Sequence, residues 1–351
     1  MSDTQRWTRI GTLAAFSMLL GYAETFIPIP LPGVKLGLAN IAVLVELACG
    51  DALGAAYIAL IKVLASGFLF GSPLTMLYST AGTLLSLAGM IPLSHLRTLR
   101  LWMVSVVGAL LHEVGQLFVA QLMLKTTSIW YTLPVLMVAG CVTGIICGLL
   151  AESLRTTLPR EDEFGEKHPT EERLQPQRPN ARTIIPFIAL VSFAIIVLHV
   201  DDIPALALCA ALAIIAFVVS GTKMSSLARM LVPLATVGIL TFALQLLTDP
   251  TIAALASARA SLSFGSLVVA SRAFMAIIDL GNLTGTIAWL VSPLTRLGMQ
   301  TSGFVLAFDV AVRLIPVVSD LVKEERLELR ELRSRLPVLI HEVCLRAATL
   351  S

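Results

Sequence analysis

The residues best suited to chemistry in this sequence are polar side chains that lie within long apolar segments of its first half. A polar group inside a lipid bilayer is costly unless it is paired or solvated, so each one is informative about function. We expect seven of them to form a substrate-binding site: Glu24, Lys35, Asn40, Lys62, Tyr78, His112 and Gln116.

Two of these residues share one face of a helix. His112 and Gln116 are four positions apart, and Glu113 flanks them. An imidazole and an amide on that face can hydrogen-bond a polar substrate from the middle of a helical bundle. The alternative is a structural hydrogen bond between helices, in which His112 contacts a backbone carbonyl or Glu24.

Lys62 lies near the middle of its apolar segment, where its side chain cannot easily reach a bilayer surface. We therefore expect it to be paired. Its partner is either a substrate anion or one of the carboxylates of Glu46 and Glu113, and the structural ion pair is slightly favoured.

The composition defines the environment of these residues. Apolar residues make up 56% of the 351 positions, charged residues make up 14%, and the mean hydropathy is +0.86. An ordinary soluble domain has roughly 25% charged residues. The sequence therefore predicts an all-α, polytopic membrane protein embedded in the lipid bilayer, and its formal charge of +2 does not suggest a nucleic-acid partner.

Six stretches before residue 155 are long and apolar enough to predict membrane spans. They cover residues 10–27, 36–50, 52–70, 74–92, 101–123 and 132–153. Basic residues at their ends predict an inside N-terminus, because six arginines fall on that side and only Lys35 and Lys125 on the other. We expect a multi-pass protein of the cytoplasmic (inner) membrane, with its N-terminus and linker in the cytoplasm.

Changes in composition divide the chain into four parts. A substrate-binding membrane domain is predicted at 1–154, a charged cytoplasmic linker at 155–182, a second membrane domain at 183–318 and a charged cytoplasmic helix at 319–351. Within the third part, a stretch of small residues at 251–263 separates two predicted apolar helices, at 228–248 and 264–282.

The sequence contains no recognisable catalytic constellation. It has no cluster of histidines and cysteines with metal-ligand spacing and no phosphate-binding loop of the G-x-x-x-x-G-K-[ST] type. Asp201-Asp202 is a single acidic pair in a short loop, which is typical of a hairpin cap and insufficient for a diphosphate–magnesium site. We therefore predict a non-enzyme that binds no metal or cofactor, with any ATP bound by another chain.

The first half resembles the membrane family called Gx transporters, also labelled heptaprenyl diphosphate synthase component I. The similarity lies in PGVKLGLANI from Pro32, LFGSPLTMLYSTAGTLLSL from Leu69, GALLHEVGQLFVAQLML from Gly108 and LPVLMVAGCVTGIICGLLA from Leu133. Such proteins look like the six-helix, substrate-binding S components of energy-coupling factor (ECF) transporters. The resemblance implies that the segment with Gly33, Lys35, Gly37 and Asn40 is a lid over the binding site; the alternative is a re-entrant turn.

The second half resembles the transmembrane T component of the same transporters, through ARTIIPFIALVSFAIIVLHVDDIPALAL, LVPLATVGILTFALQLL, LVSPLTRLGM and AFDVAVRLIPVVSDLVKEERLELRELRSR. The resemblance implies coupling to separate cytoplasmic ECF-type ATPase subunits through basic residues of the charged helix, namely Arg326, Arg330, Arg333 and Arg335. The family's Ala-Arg-Gly motif is replaced here by Glu331-Leu332-Arg333-Ser334-Arg335.

The resemblance also gives a role to the first helix. Gly11 and Ala15 form a small-xxx-small step that permits close helix approach, and S components dock on T components through small residues of their first helix. Ordinary packing within the six-helix unit is the alternative. The predicted function is thus an S-like unit fused to a T-like unit, moving a small vitamin-like, flavin or isoprenoid-related molecule; the alternative is a non-catalytic membrane scaffold for isoprenoid or redox-cofactor metabolism.

Overall fold

The computed structural model describes residues 3–24, 36–69, 72–96, 98–155, 181–277, 283–297 and 300–325. Within these ranges the chain is helical and contains no strand. The helices are α1 (Asp3–Glu24), α2 (Ile41–Ala48), α3 (Ala52–Leu69), α4 (Pro73–Ser94), α5 (Leu101–Leu124), α6 (Leu133–Arg155), α7 (Ala181–His199), α8 (Ile203–Val219), α9 (Met224–Thr248), α10 (Ala253–Ile277), α11 (Leu283–Val291) and α12 (Thr301–Glu325).

Five segments among the described residues are long and apolar enough to cross a membrane: Pro73–Ser94, Leu101–Leu124, Thr127–Arg155, Met224–Thr248 and Ala253–Ile277. Four shorter apolar helices accompany them, at Leu38–Ala48, Ala52–Phe68, Ile184–His199 and Ile203–Val219. The prediction of an all-α, polytopic membrane protein is therefore confirmed.

Large apolar side chains cover the outward faces of the long helices. Val138 of α6, Val219 of α8 and Leu247 of α9 are 68%, 80% and 80% exposed. In water such a surface would aggregate, whereas in a bilayer it faces lipid tails of the same polarity. We call α1–α6 the front bundle and α7–α12 the back bundle.

Glycines set the spacing of α4, α5 and α6, in which α5 runs antiparallel to both α4 and α6. A Cβ atom on Gly115 of α5 would lie 2.6 Å from the carbonyl oxygen of Ala81 in α4. A Cβ atom on Gly144 of α6 would lie 2.7 Å from the Cα atom of Val106 in α5. Small residues at such crossings allow backbones to pack closely within a membrane, where no hydrophobic effect drives helices together.

The first helix occupies the centre of the molecule. Every residue from 7 to 20 is buried, so α1 is covered on all sides by protein. It packs against α2 and α3 of the front bundle and against α12 of the back bundle. One hydrophobic core consequently contains residues of both bundles, including Ile10, Phe16, Phe274 and Phe308.

The predicted helix at 264–282 begins earlier than expected, because α10 is continuous from Ala253 to Ile277 and includes most of the small residues at 251–263. Alanine and serine are compatible with a helix, and small side chains here let α9 approach. Ser257 donates a hydrogen bond to the carbonyl oxygen of Gly238, at 2.9 Å. The small residues therefore form a contact surface for α9 and do not end a helix.

Candidate functional site

The first polar cluster holds the second half of the predicted lid segment, around Gly37 and Asn40. Glu24, at the end of α1, accepts hydrogen bonds from the backbone N–H groups of Gly37 and Leu38, at 2.9 and 3.1 Å. Gly37 has a φ of +76°, in the left-handed region that glycine adopts without strain. Lys62 of α3 donates to the side-chain oxygen of Asn40, at 2.6 Å.

Two further contacts fix the same segment. The Cys147 thiol of α6 lies 3.1 Å from the carbonyl oxygen of Leu36, to which it donates. The Ser17 hydroxyl of α1 donates to the carbonyl oxygen of Ala39. Residues 36–40, which we call the lid base, are thus tied to α1, α3 and α6. Gly33 and Lys35 lie outside the described residues.

The second polar cluster lies between α4 and α5. The Nε2 atoms of Gln116 and His112 are 3.1 Å apart, which makes the pair a hydrogen bond along one helix face. The imidazole ring lies flat against Gly82 of α4, because a Cβ atom there would be 2.8 Å from the ring. Thr83, the next residue, is buried on the same helix.

The seven predicted site residues therefore do not form one described constellation. Glu24, Asn40 and Lys62 meet at the lid base, whereas His112 and Gln116 meet between α4 and α5. Tyr78, one turn before Gly82 on α4, packs against a hydrophobic cluster that the two bundles share, which includes Leu206 and Leu267. Their role in substrate binding stays a prediction.

Two ion pairs near the start of α1 were not predicted. Arg9 lies 2.6 Å from Glu46, and both side chains are buried. Arg6 makes two hydrogen bonds to Asp51, at 2.9 and 3.0 Å. Glu46 had been a candidate partner for Lys62. The sequence shows that Arg9 and Glu46 are opposite charges within or beside apolar segments. It does not show that they pair, because residues so far apart in sequence leave no local pattern.

The Asp51 carboxylate also binds the start of α3, through a hydrogen bond of 2.7 Å from the backbone N–H of Gly54. Burial by itself would raise the pKa of Asp51, and it is the largest single effect. The hydrogen bonds from Arg6 and Gly54 and the nearby guanidinium charges act in the opposite direction. Together they lower the pKa of Asp51 below its usual value of 3.8.

Gly11 and Gly303 bring α1 and α12 into contact, with the two helices running in the same direction. A Cβ atom on Gly11 would lie 2.6 Å from the carbonyl oxygen of Ala307, and one on Gly303 would lie 1.8 Å from the Trp7 indole. Ala15, one turn after Gly11, is 1% exposed and belongs to the shared core. The first helix of the front bundle is thus seated on the last described helix of the back bundle.

A second contact joins the two bundles near the end of α5. Lys125 donates to the carbonyl oxygen of Val200 and lies 3.1 Å from an Asp201 carboxylate oxygen. Gln245 of α9 donates to the Thr126 hydroxyl, at 2.8 Å, and accepts from the Ser128 hydroxyl, at 2.9 Å. No local pattern in the sequence distinguishes these residues, because their pairing depends on which helices pack together.

The remaining predicted positions have no described surroundings. Arg326, Arg330, Arg333 and Arg335 lie outside the described residues. Among the residues that the structure describes, no group of three or more His, Cys, Asp or Glu side chains could hold a metal ion.

Residues 13–154 match the family model described as heptaprenyl diphosphate synthase component I. The match covers the lid base, the His112–Gln116 pair and all but the first turns of α1, so the front bundle is similar to that family. No curated protein and no solved structure matches the chain significantly. The family is the one that resembles the S components of ECF transporters, and the match is consistent with a component of a membrane transporter.

Proposed function

We propose that this protein is the membrane-embedded part of an ECF-type ABC transporter in which a substrate-capturing unit and a coupling unit are fused in one chain. The front bundle, which matches the family model, captures a small molecule. The back bundle receives force from separate cytoplasmic ATPase subunits. The chain itself carries out no reaction, and ATP binds to the partner subunits.

The observation that carries this proposal is the contact between α1 and α12. At Gly11 and at Gly303 the partner helix lies so close that any Cβ atom would force its neighbours to shift. Trp7, Tyr57 and Phe304 form a chain of aromatic contacts around it, with ring centroids 4.9 and 6.1 Å apart. A tight, apolar contact of this kind can transmit the displacement of α12 to the bundle that holds the substrate.

The experiment is purification of the full chain in a mild detergent, followed by identification of the proteins that remain bound. We expect a pair of ATPase subunits, and we expect their loss when residues 319–351 are deleted. A milder variant replaces Arg326, Arg330, Arg333 and Arg335 by glutamine, and a matched control replaces Lys223, an exposed basic residue of the turn before α9. Full retention after the deletion, or the absence of any ATPase, contradicts the proposal.

One observation favours a second candidate, a non-catalytic scaffold for isoprenoid or redox-cofactor metabolism. At the lid base the predicted binding groups satisfy one another, since Lys62 binds Asn40 and Glu24 binds the backbone. The matched family is also described as a synthase component. A scaffold binds its partner enzyme without retaining a small molecule, whereas the transporter retains one; native mass spectrometry of the purified chain distinguishes the two.

A further inference from the structure

Thr83 has an unusual side chain for its position. It is only 7% exposed, and its hydroxyl oxygen has no hydrogen-bond partner among the residues that the structure describes. Other threonines in helices of this chain bond the carbonyl oxygen four residues earlier. Thr12, Thr80 and Thr241 do so at 2.9, 2.7 and 2.8 Å. A buried hydroxyl without a partner is destabilising, so its presence calls for an explanation.

The hydroxyl lies at the level of the His112–Gln116 pair. The imidazole ring of His112 packs directly against Gly82, the neighbour of Thr83. Gly115 of α5 packs against the backbone of Ala81 and Gly82. These contacts place Thr83 beside the stretch of α5 that contains His112. Thr83 on α4 and the His112–Gln116 pair on α5 thus lie at the same level of two packed helices of the front bundle.

This region lies halfway along two helices that are long and apolar enough to span a bilayer. Thr83 is the eleventh of 22 residues in α4, and His112 is the twelfth of 24 in α5. At 1.5 Å per residue, each of the two residues lies about 16–18 Å from the start of its own helix. This distance is about half of a hydrocarbon core that is about 30 Å thick.

We propose that Thr83, His112 and Gln116 form a subsite that hydrogen-bonds an uncharged ligand containing a ring amide, with an N–H group beside a carbonyl. A hydroxyl, a neutral imidazole and a carboxamide can each donate and accept, which suits such a ligand. An uncharged compound also costs much less to bring to the bilayer centre than an anion does. The proposal rests on the substrate-capturing role of the front bundle; it adds Thr83 to the site and narrows the predicted ligands to uncharged compounds with a ring amide.

The test compares Thr83→Val with Thr80→Val in the purified full chain. The two substitutions are chemically identical and lie on the same helix, but the Thr80 hydroxyl already binds the Met76 carbonyl oxygen. The first readout needs no ligand. Thr83→Val removes an unpartnered hydroxyl, so its Tm equals or exceeds that of the wild-type chain. A Tm several degrees lower would mean that the hydroxyl has a structural partner and would overturn the proposal.

The second readout is binding in lipid nanodiscs, with lumichrome as a fluorescent, uncharged probe that contains ring amides, and geranyl diphosphate as an anionic one. We expect lumichrome to bind the wild-type chain, about five- to tenfold more weakly to Thr83→Val, and within twofold of wild type to Thr80→Val. Equal binding to Thr83→Val overturns the subsite. Binding of geranyl diphosphate alone, or of neither probe, overturns the ligand class. Retention of ATPase subunits is measured separately, so failure of the subsite is distinguishable from failure of the transporter proposal.

Discussion

Replacing Gly11 by alanine tests the contact between α1 and α12 most directly. The added Cβ atom would lie 2.6 Å from the Ala307 carbonyl oxygen and 2.9 Å from the Val310 Cβ atom. Neither atom is the flexible end of a side chain, so the helices themselves must separate until the first distance is at least 3.0 Å. A gap of 0.5–1 Å forfeits about a quarter to a half of the dispersion energy of the atoms that lose contact.

The expected cost follows from that separation. Overpacking a well-filled core costs about 1–3 kcal/mol, and the loss at Gly11 spreads to the neighbouring contact between Trp7 and Gly303. Gly140→Ala is the matched control, because a Cβ atom on Gly140 of α6 would meet the Leu110 side chain at an ordinary 3.5 Å. Both variants gain the same helix propensity, about 0.5–1 kcal/mol. The difference between their free energies of unfolding therefore reports the contact between α1 and α12 alone.

The assay is thermal unfolding of the full chain in detergent, followed with a thiol-reactive dye. Cys147 and Cys209 are buried, one in each bundle, and each becomes reactive when its bundle opens. We expect Gly11→Ala to lower the Tm by several degrees relative to Gly140→Ala, and to reduce the retention of ATPase subunits. If Gly11→Ala melts at or above the temperature of Gly140→Ala, α1 and α12 do not approach as described and the coupling argument fails.

Three further predictions concern polar contacts. Arg9→Met leaves the buried Glu46 carboxylate without its partner and lowers stability by about 3–5 kcal/mol, whereas Arg9→Met combined with Glu46→Leu restores most of it; no rescue in the melting curves contradicts this. Asp51→Asn lowers the Tm at pH 7. Because the pKa of Asp51 is lowered in the folded state, the difference in Tm from the wild type shrinks as the pH falls below 4 and through that folded-state pKa. A pH-independent difference contradicts this prediction. Gln245→Leu removes the hydrogen bonds of Gln245 with the Thr126 and Ser128 hydroxyls and lowers stability by about 1–3 kcal/mol; an unchanged melting curve shows that this link between the bundles contributes nothing.

Hydropathy alone predicted most of the fold. The predicted spans at 74–92, 101–123 and 132–153 agree with α4, α5 and α6 to within about two residues, because each is a long apolar run bounded by glycine, proline or charge. Two other elements differ more. α1 runs from Asp3 to Glu24, where a span at 10–27 was predicted, and α10 begins at Ala253, within the stretch of small residues at 251–263 that was expected to precede the helix. These small residues belong to α10. Their size allows α9 to pack closely at Gly238, and this requirement cannot be read from the local sequence.

The candidate site was harder to predict than the fold, for a physical reason. Membership of one helix face is a local property, so the pairing of His112 with Gln116 was readable from their spacing. The pairing of Lys62 with Asn40, or of Arg9 with Glu46, depends on which helices pack together. The unpartnered hydroxyl of Thr83 has no sequence signature at all, because a threonine in a helix ordinarily bonds its own backbone.

The shared direction of α1 and α12 constrains how the two helices lie in the membrane. Trp7 meets Gly303 and Gly11 meets Ala307, so the start of α1 and the end of α12 lie at opposite ends of the pair. The sequence predicts that both the N-terminus and the charged segment after α12 are cytoplasmic. If the pair crossed the membrane, these two ends would lie on opposite sides and one of the two predictions would fail; both predictions hold if the pair lies along the inner surface of the membrane. Complete burial of α1 between residues 7 and 20 is compatible with either placement, whereas neither α1 nor α12 is among the described segments that are apolar enough to cross a membrane, which favours the second placement.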